Sequence, residues 1–147
     1  MWFEDVLIGT KRDLGSYTLP QDEIMTFARK YDPQPFHVDL EAAARSMYGG
    51  IIASGWHTAA LWMKCLVESG RGDAAPDGIV SPGFEAMRWH KPVRAGMSLT
   101  FSTEVIDKVE LKSRGDLGLV KRRNEARDDT GALVFSFIGK SFVPRKP

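Results

Sequence analysis

The segment "SGWHTAALWMKCLVESG", residues 54–70, constrains the fold more than any other part of the chain. Ser54 is a plausible N-cap and Gly70 a plausible stop, so the segment is predicted to be a helix, about 22 Å long at 1.5 Å per residue. Its apolar residues leave only a narrow polar stripe, on which His57 is expected to face solvent or an interface. A helix this apolar must be covered by other structure over most of its circumference.

Most of the sequence after this helix has the alternation of apolar and polar residues that is typical of β-strands. The candidate strands are "FEAMRWH" (84–90), "MSLTFSTEV" (97–105), "LGLVKRRNEAR" (117–127) and "ALVFSFIGKSFV" (132–143). The loop "RGDAAPDG" (71–78) precedes them, and the first twenty residues are expected to form short strands or extended arms joined near residues 11–13. Long strands with short connections and one buried helix predict an α+β domain in which the sheet curls around the helix.

Two shorter helices are predicted before the central one, with a stiff segment between them. The first covers residues 20–31, and the second covers residues 40–48, capped by Asp39 and stopped by a glycine pair at 49–50. Between them, "YDPQPFHVD" (31–39) holds two prolines, which disfavour helical geometry in the residues before them and lack backbone donors. The segment is therefore interpreted as a preshaped loop that carries a carboxylate and an imidazole.

Length and composition limit the class of protein. A chain of 147 residues suits one domain, 1–147, and its one cysteine, Cys65, rules out an internal disulfide and fits a reducing compartment. A net charge of +1 gives no overall attraction to nucleic acid or to an anionic membrane. No stretch approaches the roughly 20 apolar residues that span a bilayer, and the acidic N-terminus does not resemble a secretory signal. We therefore expect a cytoplasmic protein.

Three stretches together resemble a known family. "DPQPFHVD" (32–39), "IIASGWHTAAL" (51–61) and "WHKPVRAGMSL" (89–99) are similar to segments of the MaoC-like dehydratases, which include the (R)-specific enoyl-CoA hydratases. In the family pattern D-x-N-P-x-H this chain has Gln34 instead of asparagine, and in the segment usually written A-H-G it has Ser54 instead of histidine. The resemblance covers about Gln21 to Val143 and implies the hot-dog fold, a long antiparallel sheet wrapped around one central helix.

The resemblance also implies an activity, the reversible addition of water to a 2-enoyl thioester. Asp32 and His37 would hold and polarise the water, with His37 as the preferred proton donor and acceptor, an acid–base contribution of about 10²–10⁴-fold. Negative charge develops on the thioester oxygen, and the backbone N–H of Gly55 at the start of the central helix is suited to receive it. No metal and no cofactor are expected, apart from coenzyme A as part of the substrate.

Residues next to the proposed catalytic groups are candidates for binding the substrate. Phe36, Ser54 and Trp56 are predicted to contact it, and Gln34 is predicted to support the catalytic pair from behind. Trp56 is expected to shorten the acyl pocket and to favour small acyl groups.

Basic residues could meet the phosphates of coenzyme A. The candidates are the run at 121–123 and the pair Lys91 and Arg94, although a charge run is more often a solvated face. Cys65 lies among apolar neighbours, so it is expected to be a buried, inert thiol. An exposed sheet edge needs cover, and hot-dog proteins commonly pair two sheets, so at least a homodimer is expected.

Other functions remain open at this stage. Without the resemblance, structural roles for Asp32 and His37 would be favoured, because reactive groups are a minority. A hot-dog thioesterase would place an acidic residue early on the central helix, whereas the first acid here is Glu68. A non-catalytic protein that binds acyl thioesters is the third possibility, left open by Gln34 and Ser54. The thioester carrier is either coenzyme A or an acyl-carrier protein.

Overall fold

The computed structural model describes residues 1–70 and 80–147, and a five-stranded antiparallel sheet forms its centre. The strands are β1 (Lys11–Thr18), β2 (Gly83–Trp89), β3 (Ser98–Glu110), β4 (Leu117–Arg127) and β5 (Leu133–Pro144). Their order across the sheet is β1-β3-β4-β5-β2, so β1 and β2 are the two edges. All four strands predicted after the central helix are present, and the predicted loop 71–78 lies outside the described residues.

The N-terminal segment differs from the prediction. Residues 11–13, expected to connect two arms, lie inside β1, where they pair with residues 102–104 of β3. Before this strand, Phe3–Asp5 form a short 3-10 helix. Phe3 and Val6 are buried against Val105, Val120 and Val143 in a second apolar cluster, so this segment closes one end of the sheet.

Among the described residues, four α-helices lie before β2. They are α1 (Gln21–Tyr31), α2 (Pro35–Val38), α3 (Leu40–Arg45) and α4 (Gly55–Glu68). α4 is the predicted central helix, but α3 ends before the glycine pair that was expected to stop it. The amide and the hydroxyl of Ser46 both donate to the carbonyl of Ala43, a local alternative to further helix. No helix in the described part of the chain is long and apolar enough to cross a membrane.

The main core lies between α4 and the inner face of the sheet. Leu99, Phe101 and Phe135 are completely buried there, with Leu61 and Cys65 of α4 packed in the same cluster. Each fully buried aromatic or leucine side chain contributes about 1.5–3 kcal/mol to stability, so this contact anchors α4. Cys65 is buried as expected, and its burial raises the pKa of the thiol, which keeps it unreactive.

The exposure of residues on α4 differs from the prediction. His57 was predicted to be accessible, but it is buried, with its ring stacked on Phe27 of α1 at a centroid distance of 4.4 Å. In contrast, Trp56, Met63 and Val67 are 58%, 49% and 43% exposed. The prediction that α4 is covered over most of its circumference is therefore wrong for a single chain. α1 covers His57, whereas Lys64 and Glu68 of the same stripe stay exposed and the apolar face is open.

Candidate active site

The segment that carries Asp32 and His37 is a helical turn rather than an extended loop. Gln34 is extended, with φ −72° and ψ 144°, as expected for a residue before proline. Pro35, however, is the first residue of α2, where its missing N–H breaks no helical hydrogen bond. The prediction was wrong because proline at this position starts a helix instead of preventing one. The turn brings His37 back towards the end of α1, where Asp32 lies.

Asp32 and His37 meet through one atom of each side chain. His37 Nε2 lies 3.3 Å from Asp32 Oδ2, with the two side chains 5% and 18% exposed. His37 Nδ1 lies 2.6 Å from the carbonyl oxygen of Ile52, which can only accept, so Nδ1 carries the hydrogen. In the neutral imidazole Nε2 is then an acceptor that faces a carboxylate, also an acceptor. A proton on Nε2, or a donor such as water between the two atoms, is required for them to attract each other.

Hydrogen bonds to Asp32 favour its charged form. Gln34 Nε2 donates to Asp32 Oδ1 at 2.7 Å. Partial burial raises the pKa of Asp32, but the hydrogen bond from Gln34, the hydroxyl of Ser54 and the charge of His37 lower it by more, so the net pKa lies below the ordinary value. Asp32 is therefore ionised at neutral pH.

The chain before α4 is held between α2 and the segment that connects β2 to β3. The amide of Ile52 donates to the carbonyl of Phe36 at 3.3 Å, and the amide of Ala53 donates to the carbonyl of Val93 at 2.8 Å. Ile52 also forms an isolated antiparallel bridge with Arg94. These contacts place the Ile52 carbonyl where it fixes the tautomer of His37, and they direct the chain into α4 beside the pair.

The N-terminus of α4 faces the same space. Gly55 is the first helical residue. The amide of His57 donates to the carbonyl of Ser54, whereas the amides of Gly55 and Trp56 come before the first helical acceptor can reach them. Ser54 occupies the N-cap position, but its side chain does not cap the helix. Its hydroxyl oxygen is buried and makes no hydrogen bond of normal geometry in the described part of the chain, although the hydroxyl is near enough to Asp32 to help lower the pKa of that carboxyl group. Ser54 does not line the cavity, unlike the predicted substrate contacts Phe36 and Trp56.

A cavity of about 450 Å³ joins these groups. It contains Asp32, His37 and Gly55 together with Phe36, Tyr48, Trp56, Thr58, Trp89 and His90, among other residues. This volume is typical of clefts that bind small molecules. Sequence reasoning missed Tyr48, Thr58, Trp89 and His90. The stretch "WHKPV" contributed to the family resemblance, but nothing in the sequence indicated that it lies opposite the start of α4.

The fold and the site together define a class of protein. A long antiparallel sheet around a central helix is the hot-dog fold, and here an acid–imidazole pair faces the first turn of that helix. The chain belongs to the MaoC-like dehydratase family, because the family described as "MaoC like domain" matches residues 5–126.

Individual relatives agree with this assignment. The chain is 36% identical over 121 residues to the uncharacterized protein YdeM of Bacillus subtilis, a match that covers 82% of each protein. It is 37% identical to a MaoC-like dehydratase of Rhodospirillum rubrum, with a TM-score of 0.90 over 100% of this chain and 99% of that one. A shorter match, 28% identical over 85 residues, is to the mesaconyl-CoA hydratase of Haloarcula marismortui and covers 57% of this chain but only 24% of that enzyme.

Proposed function

We propose that the protein adds water reversibly to a 2-enoyl-CoA and forms a 3-hydroxyacyl-CoA. The observation that carries this proposal is the contact between Asp32 Oδ2 and His37 Nε2. Because His37 Nδ1 donates its hydrogen to the Ile52 carbonyl, the lone pair of the neutral imidazole is on Nε2, the nitrogen beside Asp32. Membership of a hydratase and dehydratase family supports the same chemistry. The name of the haloarchaeal relative supports coenzyme A as the carrier.

A water molecule between the two side chains can donate one hydrogen to each. Its lone pair is then free to attack the β carbon, which forms a carbon–oxygen bond and converts the double bond to an enolate. His37 Nε2 accepts a proton from the water, and the imidazolium returns a proton to the α carbon. The net change is addition of H and OH, so the residues are regenerated. Positioned acid–base groups of this kind contribute about 10²–10⁴-fold.

The start of α4 supplies the complementary charge. During attack, the thioester oxygen becomes negative, and the amides of Gly55 and Trp56, which open the first turn, carry the positive end of the helix dipole. Gly55 lines the cavity at this point and has no side chain that would keep the thioester from its amide. Preorganised donors of this kind lower the barrier because they need no rearrangement when charge develops.

Hydrolysis of the thioester is the weaker alternative. It needs a carboxylate near the start of α4, whereas Glu68 is the last residue of that helix. Glu68 is also exposed and paired with Lys64. Asp32 is the only carboxylate among the described residues that line the cavity, and it is already engaged with His37 and Gln34.

Arg94 is a candidate for phosphate binding, because it is exposed and directly follows Val93, which lines the cavity. Its Nη1 atom lies 3.8 Å from the position that a Cβ atom on Gly50 would occupy. Lys91 lines the cavity but is paired with Asp128, and Lys121 and Arg123 pair with acids of β3 outside the cavity. We therefore assign the coenzyme A phosphates to Arg94 first. The Arg94→Ala variant should raise KM for the CoA thioester and leave kcat unchanged.

A second copy of the chain is proposed to cover the open face of α4. Trp56, Met63 and Val67 form an exposed apolar row on α4, and the edge strand β2 exposes Phe84. Apolar faces and free edges of this kind favour pairing. Sedimentation at working concentration should give at least a dimer, and a strict monomer would contradict this proposal.

One experiment separates the candidate functions. The purified protein is mixed with short 2-enoyl-CoA substrates, while loss of the conjugated thioester absorbance, release of free thiol and binding are followed. Hydration without thiol release supports the proposal, thiol release supports a thioesterase, and binding without turnover supports a non-catalytic protein. A series of chain lengths tests Trp56, since equal or better rates on long acyl chains would refute its role in shortening the pocket.

A further inference from the structure

Trp89 lies directly against the first residue of the central helix. It is the last residue of β2, and its indole Nε1–H donates to the carbonyl oxygen of Gly55 at 2.9 Å. That carbonyl belongs to the peptide that joins Gly55 to Trp56, the first peptide inside α4. The side chain of Trp89 also lines the cavity that contains Asp32 and His37.

The indole leaves no room for a side chain on Gly55. A Cβ atom at Gly55 would lie 2.6 Å from Trp89 Cε2 and 2.6 Å from Trp89 Nε1, closer than real Cβ contacts. The backbone of Gly55 does not have a positive φ, so its conformation alone would accept alanine. Glycine is therefore required at this position by the indole of Trp89.

An irregularity in β2 directs Trp89 towards α4. The pairing with β5 shifts between Glu85 and Arg88, and Ala86 has a φ of +52°, which is unusual for a residue other than glycine. An extra residue of this kind reverses the alternation of a strand. Phe84 and Trp89, five residues apart, consequently contact inner aromatic rings of the same strand, Phe137 and Phe135 respectively.

Ring contacts hold the indole on two sides. Its plane stacks on Phe135 with a centroid distance of 5.6 Å, and Trp56 meets it nearly at right angles at 5.4 Å. Trp89 therefore connects the sheet to the helix start through a fixed ring and one hydrogen bond.

We propose that Trp89 is a positioning residue, which holds the first peptide of α4 so that the helix N-terminus is aimed at the thioester oxygen. This inference rests on the proposed hydration of a 2-enoyl thioester. It assigns to the sheet edge a function that neither Asp32 nor His37 supplies, namely the alignment of the amide donors. Loss of alignment lowers the rate of the chemical step more than it weakens binding.

The first test removes only the indole N–H. Trp89→Phe keeps an aromatic ring, and we expect kcat for hydration of crotonyl-CoA to fall by up to about tenfold, the effect of one ordinary hydrogen bond, while KM changes less than twofold. Trp62→Phe is the matched control, since the indole nitrogen of Trp62 has no hydrogen-bond partner among the described residues. Its kcat should stay within about twofold of the wild type. An unchanged kcat in Trp89→Phe would overturn the proposal.

The second test needs no substrate. Thermal unfolding is compared for the wild type, Gly55→Ala, Trp89→Ala and the double variant. Gly55→Ala should lower Tm when Trp89 is present and should not lower it when residue 89 is alanine. Additive changes in Tm would contradict the proposed contact. If the wild type does not hydrate any 2-enoyl-CoA, the proposed function fails, while this cycle still decides whether Trp89 holds Gly55.

Discussion

Two buried histidines lie near the start of α4, His37 in α2 and His57 in the first turn of α4 itself, and their surroundings differ. His37 is 4% exposed and His57 is 6% exposed, so burial does not distinguish them. His37 has a partner for each ring nitrogen, the Ile52 carbonyl and the Asp32 carboxylate. His57 stacks on Phe27, and its Nδ1 has no partner among the described residues.

The difference supports the proposal that His37, and not His57, is the histidine that transfers protons. A general base needs a defined tautomer and access to the reacting atom, and His37 has both because a backbone carbonyl fixes its Nδ1 and Nε2 faces the cavity. Burial lowers the pKa of His57, and the charge of Glu23 opposes this effect only in part. His57 thus remains a neutral packing residue, even though it is only two residues from Gly55.

The largest expected difference between the two histidines is in activity. Asp32→Asn and His37→Gln should each reduce hydration of a short 2-enoyl-CoA by about 10²–10⁴-fold, because the first removes the negative charge that polarises the water in the proposed mechanism and the second removes the basic nitrogen that accepts its proton. His57→Phe should keep kcat within a few-fold of the wild type. The measurement is kcat/KM with circular dichroism to verify folding. Near-full activity of either Asp32→Asn or His37→Gln would contradict the proposed role of that residue. A large loss of kcat/KM in correctly folded His57→Phe would show that His57 is needed for activity.

A smaller loss of activity is expected when the support of Asp32 is removed. Gln34→Leu deletes the donor to Asp32 Oδ1, and a hydrogen bond to a charged group is worth about 1.5–3 kcal/mol, so kcat/KM should fall about tenfold or more. The bond lowers the pKa of Asp32, so its loss should move the acid limb of the pH profile to higher pH. Gln34→Asn, which keeps an amide, is the control, and an unmoved acid limb in Gln34→Leu would exclude this role.

The stability of the protein should depend on pH through His57. Its pKa in the folded state lies below the ordinary value of 6.5, so the unfolded chain binds the proton more tightly. This contribution is complete above about pH 6.5 and is lost as the pH falls towards the lowered pKa. Urea unfolding between pH 5 and 8 should show a smaller decrease for His57→Phe than for the wild type. Parallel curves for the two proteins would contradict the assignment.

The smallest expected effect is on stability, and it concerns the N-cap of α3, the helix that follows His37. Asp39 Oδ1 accepts hydrogen bonds from the amides of Glu41 and Ala42 and so caps α3, as predicted. Asp39→Ala should lower the free energy of unfolding by about 1 kcal/mol, the usual cost of losing an N-cap, with kcat unchanged. Asp39→Asn, which retains an acceptor, should lose less. A large fall in kcat with normal stability would mean that α3 controls the position of His37.

Much of the fold was predictable because local periodicity encodes it. The alternation in β3 identifies Leu99, Phe101 and Val105 as inner-face residues, and all three are buried. The two errors in the helices have local causes as well: Pro35 starts α2, and Ser46 ends α3. Both outcomes depend on position: proline is tolerated at the first residue of a helix, where its missing N–H breaks no hydrogen bond, and Ser46 ends α3 through its own hydrogen bonds to Ala43.

The site was only partly predictable. The sequence shows the spacing of Asp32 and His37 and the glycine at the start of the central helix. It does not show how far apart the two side chains lie in space. The Ile52 carbonyl and the Trp89 indole were missed, because both reach the site through long-range contacts. The burial of His57 was not predicted for the same reason, because it results from a contact with Phe27 of α1, thirty residues earlier in the chain.

The sequence by itself determined the α+β class, the central helix, the strands that follow it and the choice of Asp32 and His37 as candidates for proton transfer, because these depend on residue type and on periods of two or 3.6. Only the tertiary structure decided that His37, Asp32 and the start of α4 share one cavity, that Trp89 closes against Gly55 and that His57 is excluded. These relations depend on the register of the sheet and on the side from which each helix approaches it, and no local pattern of residues specifies either.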